Sequence, residues 1–246
     1  MVITLTPEPG AAIHLPIAGF DARDDHAFPG RRAVVVYLQG CPLQCGYCET
    51  ASSMGPARSA AAGEWHAIEG LLAARIGEFD AVVFSGGEPS LHPDLPAAAD
   101  ACQALGLAVG LHTAGSYPER LERLLPRLDW VALDTKGRGI DFDRISKRSG
   151  IWQRHARSLS LLLESEVPFE CRTTLHWRDF TLEALERLAM TLADCGVRRY
   201  AIQLARLERC LDPAYREPVE DAPPREALEA LVRRLNRHFD HLELRG

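Results

Sequence analysis

Several things are missing from this chain of 246 residues. No run approaches the roughly 20 apolar residues that a membrane-spanning helix requires. Basic residues are not in excess: Lys and Arg total 28 against 34 Asp and Glu, for a net charge of −6. That balance lacks the basic stripe of a nucleic-acid surface. The start, Met1 to Gly10, has neither the basic nor the apolar segment of a secretory signal. There is no internal repeat, linker or low-complexity tract, so residues 1–246 are expected to form a single domain. There is also no second Cys-x-x-Cys or Cys/His pair. The odd total of seven cysteines, without a targeting segment, points to reduced thiols in the cytoplasm.

Three of the seven are packed together as Cys41-Pro-Leu-Gln-Cys45-Gly-Tyr-Cys48, directly after the apolar run Ala33–Gln39. Thiolates at such spacings hold iron–sulfur clusters or zinc. A closed zinc site needs a fourth ligand, which zinc motifs usually supply from a second pair. Three ligands suit a [4Fe–4S] cluster that keeps one iron open for an outside group. Cys102, Cys171, Cys195 and Cys210 have no motif spacing and read as core or surface thiols.

The next apolar run, Ala81–Ser85, ends in Gly86-Gly87-Glu88-Pro89. Paired glycines at a strand end allow close approach to the backbone, and the proline then turns the chain. Further apolar runs, Ala108–His112, Trp130–Asp134, Phe169–Leu175 and Tyr200–Ala205, read as strands. The intervening segments Glu64–Ile76, Asp94–Leu105, Pro118–Leu128, Trp152–Glu164 and Leu182–Cys195 carry apolar residues at helical spacing. Strict β-α alternation predicts an α/β fold of parallel strands with right-handed crossovers, a partial (β/α)6 barrel with helices outside. The core spans about residues 17–206, and residues 207–246 add a helix, Pro224–Arg237, and a short strand, His241–Leu244. Asp21–Arg32 reads as a loop or hairpin entering the first strand.

Parallel α/β folds carry their chemistry at the C-terminal strand ends. In chain order these ends bear the three cysteines, Ser85–Glu88, His112–Gly115, Asp134-Thr135-Lys136, Arg172 and Gln203. Each has an ordinary alternative: a rim ion pair for Asp134 and Lys136, a solvated edge for Arg172, a capped backbone group for Gln203. Six polar strand ends beside a thiolate motif are harder to explain by packing. Lys136 and Arg172 offer cations to a carboxylate, and Arg can grip it bidentately. The basic residues Lys136, Arg138, Arg144, Lys147 and Arg148 offer contacts to a partner or phosphate, but Asp141 and Asp143 interleave them and they read as a solvated loop. Trp65, Trp130, Trp152 and Trp177 read as packing residues.

Together, Cys41–Cys48 and Gly86–Pro89 resemble the radical S-adenosylmethionine (SAM) superfamily. With Leu111–Gly115, Asp129–Lys136 and Arg172–Thr174 the chain is similar to activases of glycyl radical enzymes, notably activating proteins of the anaerobic ribonucleoside-triphosphate reductase. The resemblance implies that Cys41, Cys45 and Cys48 ligate the cluster and that Tyr47 lies near the adenine. It implies that Gly86, Gly87 and Glu88 bind the methionyl amine, that Asp134, Thr135 and Lys136 line the ribose and methionyl side, and that Thr113, Arg172 and Gln203 contribute to the SAM site. The implied reaction is reductive cleavage of SAM to methionine and a 5′-deoxyadenosyl radical, which takes hydrogen from a glycine of the partner, the reductase large subunit. Flavodoxin or ferredoxin would supply the electron. No catalytic side chain beyond cluster and SAM is implied.

Two departures stand out. Glu49-Thr50 replaces the usual His-Asn of activases, and His112 stands where formate-lyase activases have Asp. His112 is open to three roles: bonding the ribose, donating a proton or packing. Cys48-Glu49-Thr50 also echoes the Cys-Asp-Thr of 7-carboxy-7-deazaguanine synthases, which use magnesium, so small-molecule chemistry is the alternative. A non-catalytic iron–sulfur or zinc module is a third reading.

Overall fold

The computed structural model describes residues 12–21, 27–50, 55–61 and 63–246. One sheet organises them: β1 (Ile17–Asp21), β2 (Ala33–Leu38), β3 (Ala81–Gly86), β4 (Ala108–Thr113), β5 (Trp130–Asp134), β6 (Phe169–Leu175), β7 (Arg199–Leu204) and β8 (His241–Arg245). Spatial order equals chain order. From β2 to β8 every pairing is parallel; β1 alone runs antiparallel, against β2. Such single winding keeps successive crossovers on one side and curves the sheet, the arrangement of an open barrel.

The helices are α1 (Glu64–Ala74), α2 (Leu95–Ala104), α3 (Pro118–Leu124), α4 (Ile140–Ser146), α5 (Ile151–Glu164), α6 (Leu182–Asp194) and α7 (Arg225–Leu235). Local chemistry sets several of their starts. Pro118 opens α3 at the position where a missing N–H costs nothing, and the Thr181 hydroxyl caps α6 by accepting from Ala184 N at 3.2 Å. At the first residue of α1, the Glu64 carboxylate accepts from Ile17 N and Ala61 N and pairs with Arg58. The Arg58 guanidinium and these N–H groups hold Glu64 down at about 2.

Alternation along the strands divides the interior in two. Val34, Val36, Leu38, Phe84, Leu111, Leu133 and Ile202 pack against the helices in the main core. The opposite face carries a smaller cluster at the N-terminal strand ends: Ala33, Val35, Ala81, Val83 and Trp130, closed by Ala27 and Phe28. Phe28 meets Trp130 at 6.2 Å between ring centres, so the segment before β2 plugs the floor of the barrel.

The six expected core strands are β2 to β7 and the expected short strand His241–Leu244 is β8, while β1 adds an edge on the other side of the sheet. Part of Asp21–Arg32, residues 22–26, lies outside the described residues, as does Met1 to Gly10. One expectation needs correction. The basic stretch from Lys136 to Arg148 is not a solvated loop: it contains α4, and Lys136 is buried. Trp65, Trp130 and Trp152 pack against aromatic neighbours as expected.

Candidate active site

The cysteine loop follows the end of β2 at Leu38 and is fixed by backbone bonds on several sides. Cys41 N donates to Gly55 O at 2.8 Å, Gln44 N to Ser146 O at 2.9 Å, and Cys48 N to Cys45 O at 3.2 Å. Cys45 is buried, while Cys41 and Cys48 are part-buried, and all three are free thiols. Burial pushes the Cys41 thiol up to about 12 and Cys45 in the same direction, with Lys136 opposing the rise in both. Among the described residues no three Cys, His, Asp or Glu side chains converge on a single-ion site. Cys102, Cys171 and Cys210 are buried free thiols and Cys195 is exposed, as their lack of motif spacing implied.

A second segment, absent from the sequence reading, straps this loop from outside. After β7, Leu211 N donates to Cys48 O at 2.8 Å and Asp212 N to Gly46 O at 3.2 Å. Lys147 pairs with Asp212 at 3.3 Å, and Arg206 with Glu49 at 3.7 Å. Tyr215 lies against Gly46 and donates through its hydroxyl to Asp179 Oδ1 at 2.9 Å. Arg144 of α4 joins the same Asp179 oxygen at 3.2 Å.

The end of β3 is equally constrained. Gly86 has φ of 105°, and a Cβ there would stand 2.5 Å from Leu38 N and O, so only glycine fits. Gly87 N donates to Leu38 O at 2.9 Å and Glu88 N to Gly40 O at 2.8 Å. The Glu88 carboxylate is fully buried and heavily engaged. It accepts from Ser90 N and Oγ, from Thr113 Oγ1 at 2.5 Å and from Ala114 N at 2.9 Å. Glu88 and Thr113 thus join the ends of β3 and β4 to each other.

Lys136 is the buried cation of the site. Its Nζ lies 3.6 Å from Asp134 Oδ2 and 5.7 Å from the centre of the Tyr47 ring. Burial disfavours its charge, but Tyr47, Cys45, Asp134 and Cys41 outweigh that and the net direction is upward. The Tyr47 hydroxyl is buried without a hydrogen-bond partner, as is Thr135 Oγ1. Thr135 N donates to Arg172 O at 2.7 Å, and its carbonyl accepts from Thr173 Oγ1 at 2.8 Å. Cysteines, Tyr47, Asp134 and Lys136 therefore share one neighbourhood.

The concave face below carries a polar chain that the sequence reading saw only in part. Arg172 pairs with Glu170, which also pairs with Arg245 at 3.0 Å, and Arg245 donates to Gln203 Oε1 at 3.3 Å. Glu170 is fully buried; burial would raise its carboxyl, but Arg172 and Arg245 bring it down. Spacing of two along β6 puts Glu170 and Arg172 on one face, and that alternation was the available signal for Glu170. His112 sits beside Arg172 Nη1 at 3.2 Å, donates through Nε2 to Ala27 O at 2.8 Å and faces Ser85 Oγ at 3.5 Å. Burial and the Arg172 charge lower it to about 3, so it is neutral and its Nε2–H is committed to the floor segment.

The sequence pattern of the Radical SAM superfamily matches residues 35–192, well over half of the chain. The chain belongs to the radical SAM superfamily. Members use a [4Fe–4S] cluster and SAM, and this structure fits both: three free thiols on one loop, a buried cation and an unpartnered phenol beside them. Over 228 residues it is 28% identical to a Methanocaldococcus jannaschii protein named provisionally as a glycyl-radical enzyme activating enzyme, covering 89% of this chain and 90% of the other. It is 32% identical over 141 residues to the 7-carboxy-7-deazaguanine synthase of Methanothermobacter thermautotrophicus, covering 56% and 54%. Streptococcus suis SuiB bound to S-adenosylmethionine superposes with a TM-score of 0.61 at 13% identity, over 87% of this chain and 46% of SuiB. That likeness shows the radical SAM fold. Among the described residues no helix is long and apolar enough to cross a membrane.

Proposed function

We propose that this radical SAM protein installs a glycyl radical on a partner enzyme, an anaerobic ribonucleoside-triphosphate reductase. The observation that carries the reading is the extent of likeness. The relation to the glycyl-radical activating enzyme covers about nine-tenths of both chains, against little more than half for the deazaguanine synthase.

In this reading Cys41, Cys45 and Cys48 would hold the cluster, which, reduced through flavodoxin or ferredoxin, would supply the electron for reductive cleavage of SAM. Gly86 and Gly87 bind the methionyl amine through backbone groups, with Glu88 and Thr113 locking their strand ends. Lys136 and Arg172 present positive charge to the methionyl carboxylate. Asp134 and Thr135 border the ribose, Tyr47 flanks the adenine, and Gln203 lines the concave face. The protein's contribution is orientation and exclusion of water rather than acid–base catalysis, which agrees with a neutral, committed His112. The substrate is the Cα hydrogen of a backbone glycine.

Electron paramagnetic resonance of the reductase after anaerobic incubation with reduced protein and SAM tests this. A glycyl radical doublet is expected, and its absence alongside continued SAM cleavage would reject the partner. One observation favours a second reading: Cys48-Glu49-Thr50 places Thr50 Oγ1 3.7 Å from Cys48 Sγ, in the segment that echoes the synthases. Magnesium-dependent formation of 7-carboxy-7-deazaguanine would decide for that reading.

A further inference from the structure

We propose that the pocket between the cluster loop and the start of α5 binds a phosphate group. The cavity holds about 80 Å³ and is lined by Pro42 of the cluster loop, Ser116 after β4, and Arg148, Ser149 and Arg154 around the α5 start. Three observations converge. Ser116 is fully buried, yet its hydroxyl has no hydrogen-bond partner, a state that a bound acceptor relieves. Arg148 and Arg154 are exposed, and among the described residues neither guanidinium has an ion-pair or hydrogen-bond partner. Two cations flank this notch in a chain whose net charge is −6.

The helix end itself is already capped. Asp143 accepts from Gly150 N at 2.7 Å and from Trp152 N at 2.9 Å, so this acid is engaged in ordering the segment that carries Arg148 and Arg154. What remains open is the side of the notch facing Pro42. Two planar guanidinium forks can each grip the oxygens of a tetrahedral phosphate bidentately. A nucleotide would bring a terminal phosphoryl group to the same two guanidinium groups. Because Pro42 stands between Cys41 and Leu43, occupancy would bear directly on the cluster loop.

Calorimetric titration of cluster-loaded protein under anaerobic conditions, with inorganic phosphate and with ATP, tests the proposal. Saturable phosphate binding is expected, weakened about tenfold or more in R148Q/R154Q and severalfold in Ser116→Ala. Tighter binding of ATP than of phosphate would assign the group to a nucleotide; equal or weaker binding would assign it to the free ion. Heats that never saturate, or unchanged affinity in R148Q/R154Q, would overturn the site. Both arginines are exposed, so folding should survive, and circular dichroism checks this. The titration needs no partner protein and stands apart from the activase reading.

Discussion

Tyr215 closes on Gly46: a Cβ at Gly46 would stand 2.2 Å from Tyr215 Cε2. The contact puts a residue from the far end of the chain against the middle of the cysteine motif. It explains why glycine sits between Cys45 and Tyr47 without appeal to unusual backbone angles. The strap that carries Tyr215 is held by Asp179, so the cluster loop, α4 and the β6–α6 turn are braced as one unit.

Gly46→Ala should therefore displace the strap or the loop, at a cost of about 1–3 kcal/mol typical of overpacking. Iron and sulfide content after reconstitution should fall with it. Adding Tyr215→Ala should restore part of the cluster occupancy, because the clash disappears. If Gly46→Ala loads and melts as the parent does, the close approach is not real.

Lys136→Ala should weaken SAM binding by about tenfold to a hundredfold, the range for losing a charge-assisted contact. Iron content should stay at the parent level, because Lys136 holds no metal. Equilibrium binding of SAM to the loaded protein, with iron measured on the same samples, separates the two effects. A parallel loss of iron would make Lys136 a support of the loop rather than of SAM.

Acid should destabilise the fold through buried histidine. His155 is fully buried between Ala114 O and Phe142, and burial lowers it to about 4 from the ordinary 6.5. The stability its neutral form lends is present above the unfolded value. It is lost as pH falls, because between 6.5 and 4 only the unfolded chain takes the proton. By pH 5 the loss from His155 alone is about 2 kcal/mol. Denaturant unfolding of cluster-free protein from pH 7.5 to 5 measures it. In His155→Phe the pH slope should flatten, and an unchanged slope would rule out this residue as a source.

Among β2 to β7 most were legible as short apolar runs ended by glycine or charge, whereas β6, which carries Glu170, Arg172, Thr173 and Thr174, was legible from its place in the β-α order. The cysteines were legible by spacing alone. Three features were not. Ile17–Asp21 becomes strand only by pairing with β2, and its sequence, with a central glycine, does not announce it. The seven residues of α4 follow Gly137 and Gly139 and are rich in charge, so they read as loop; Arg144 gains its meaning only from Asp179 in a distant turn. The strap meets the cysteine loop through backbone groups, Leu211 N to Cys48 O and Asp212 N to Gly46 O, and such bonds leave no signature in side-chain identity. On the concave face Arg172 was visible, but Arg245, its companion on Glu170, lies too far along the chain to be linked without the fold.

The account rests on Cys41, Cys45 and Cys48 acting together on SAM. Its most direct test is 5′-deoxyadenosine formed under anaerobic conditions from reconstituted protein, dithionite and SAM, with Cys45→Ala and Cys195→Ser in parallel. The account predicts product from the parent and from Cys195→Ser, and none from Cys45→Ala. Equal product from Cys45→Ala and the parent would contradict it.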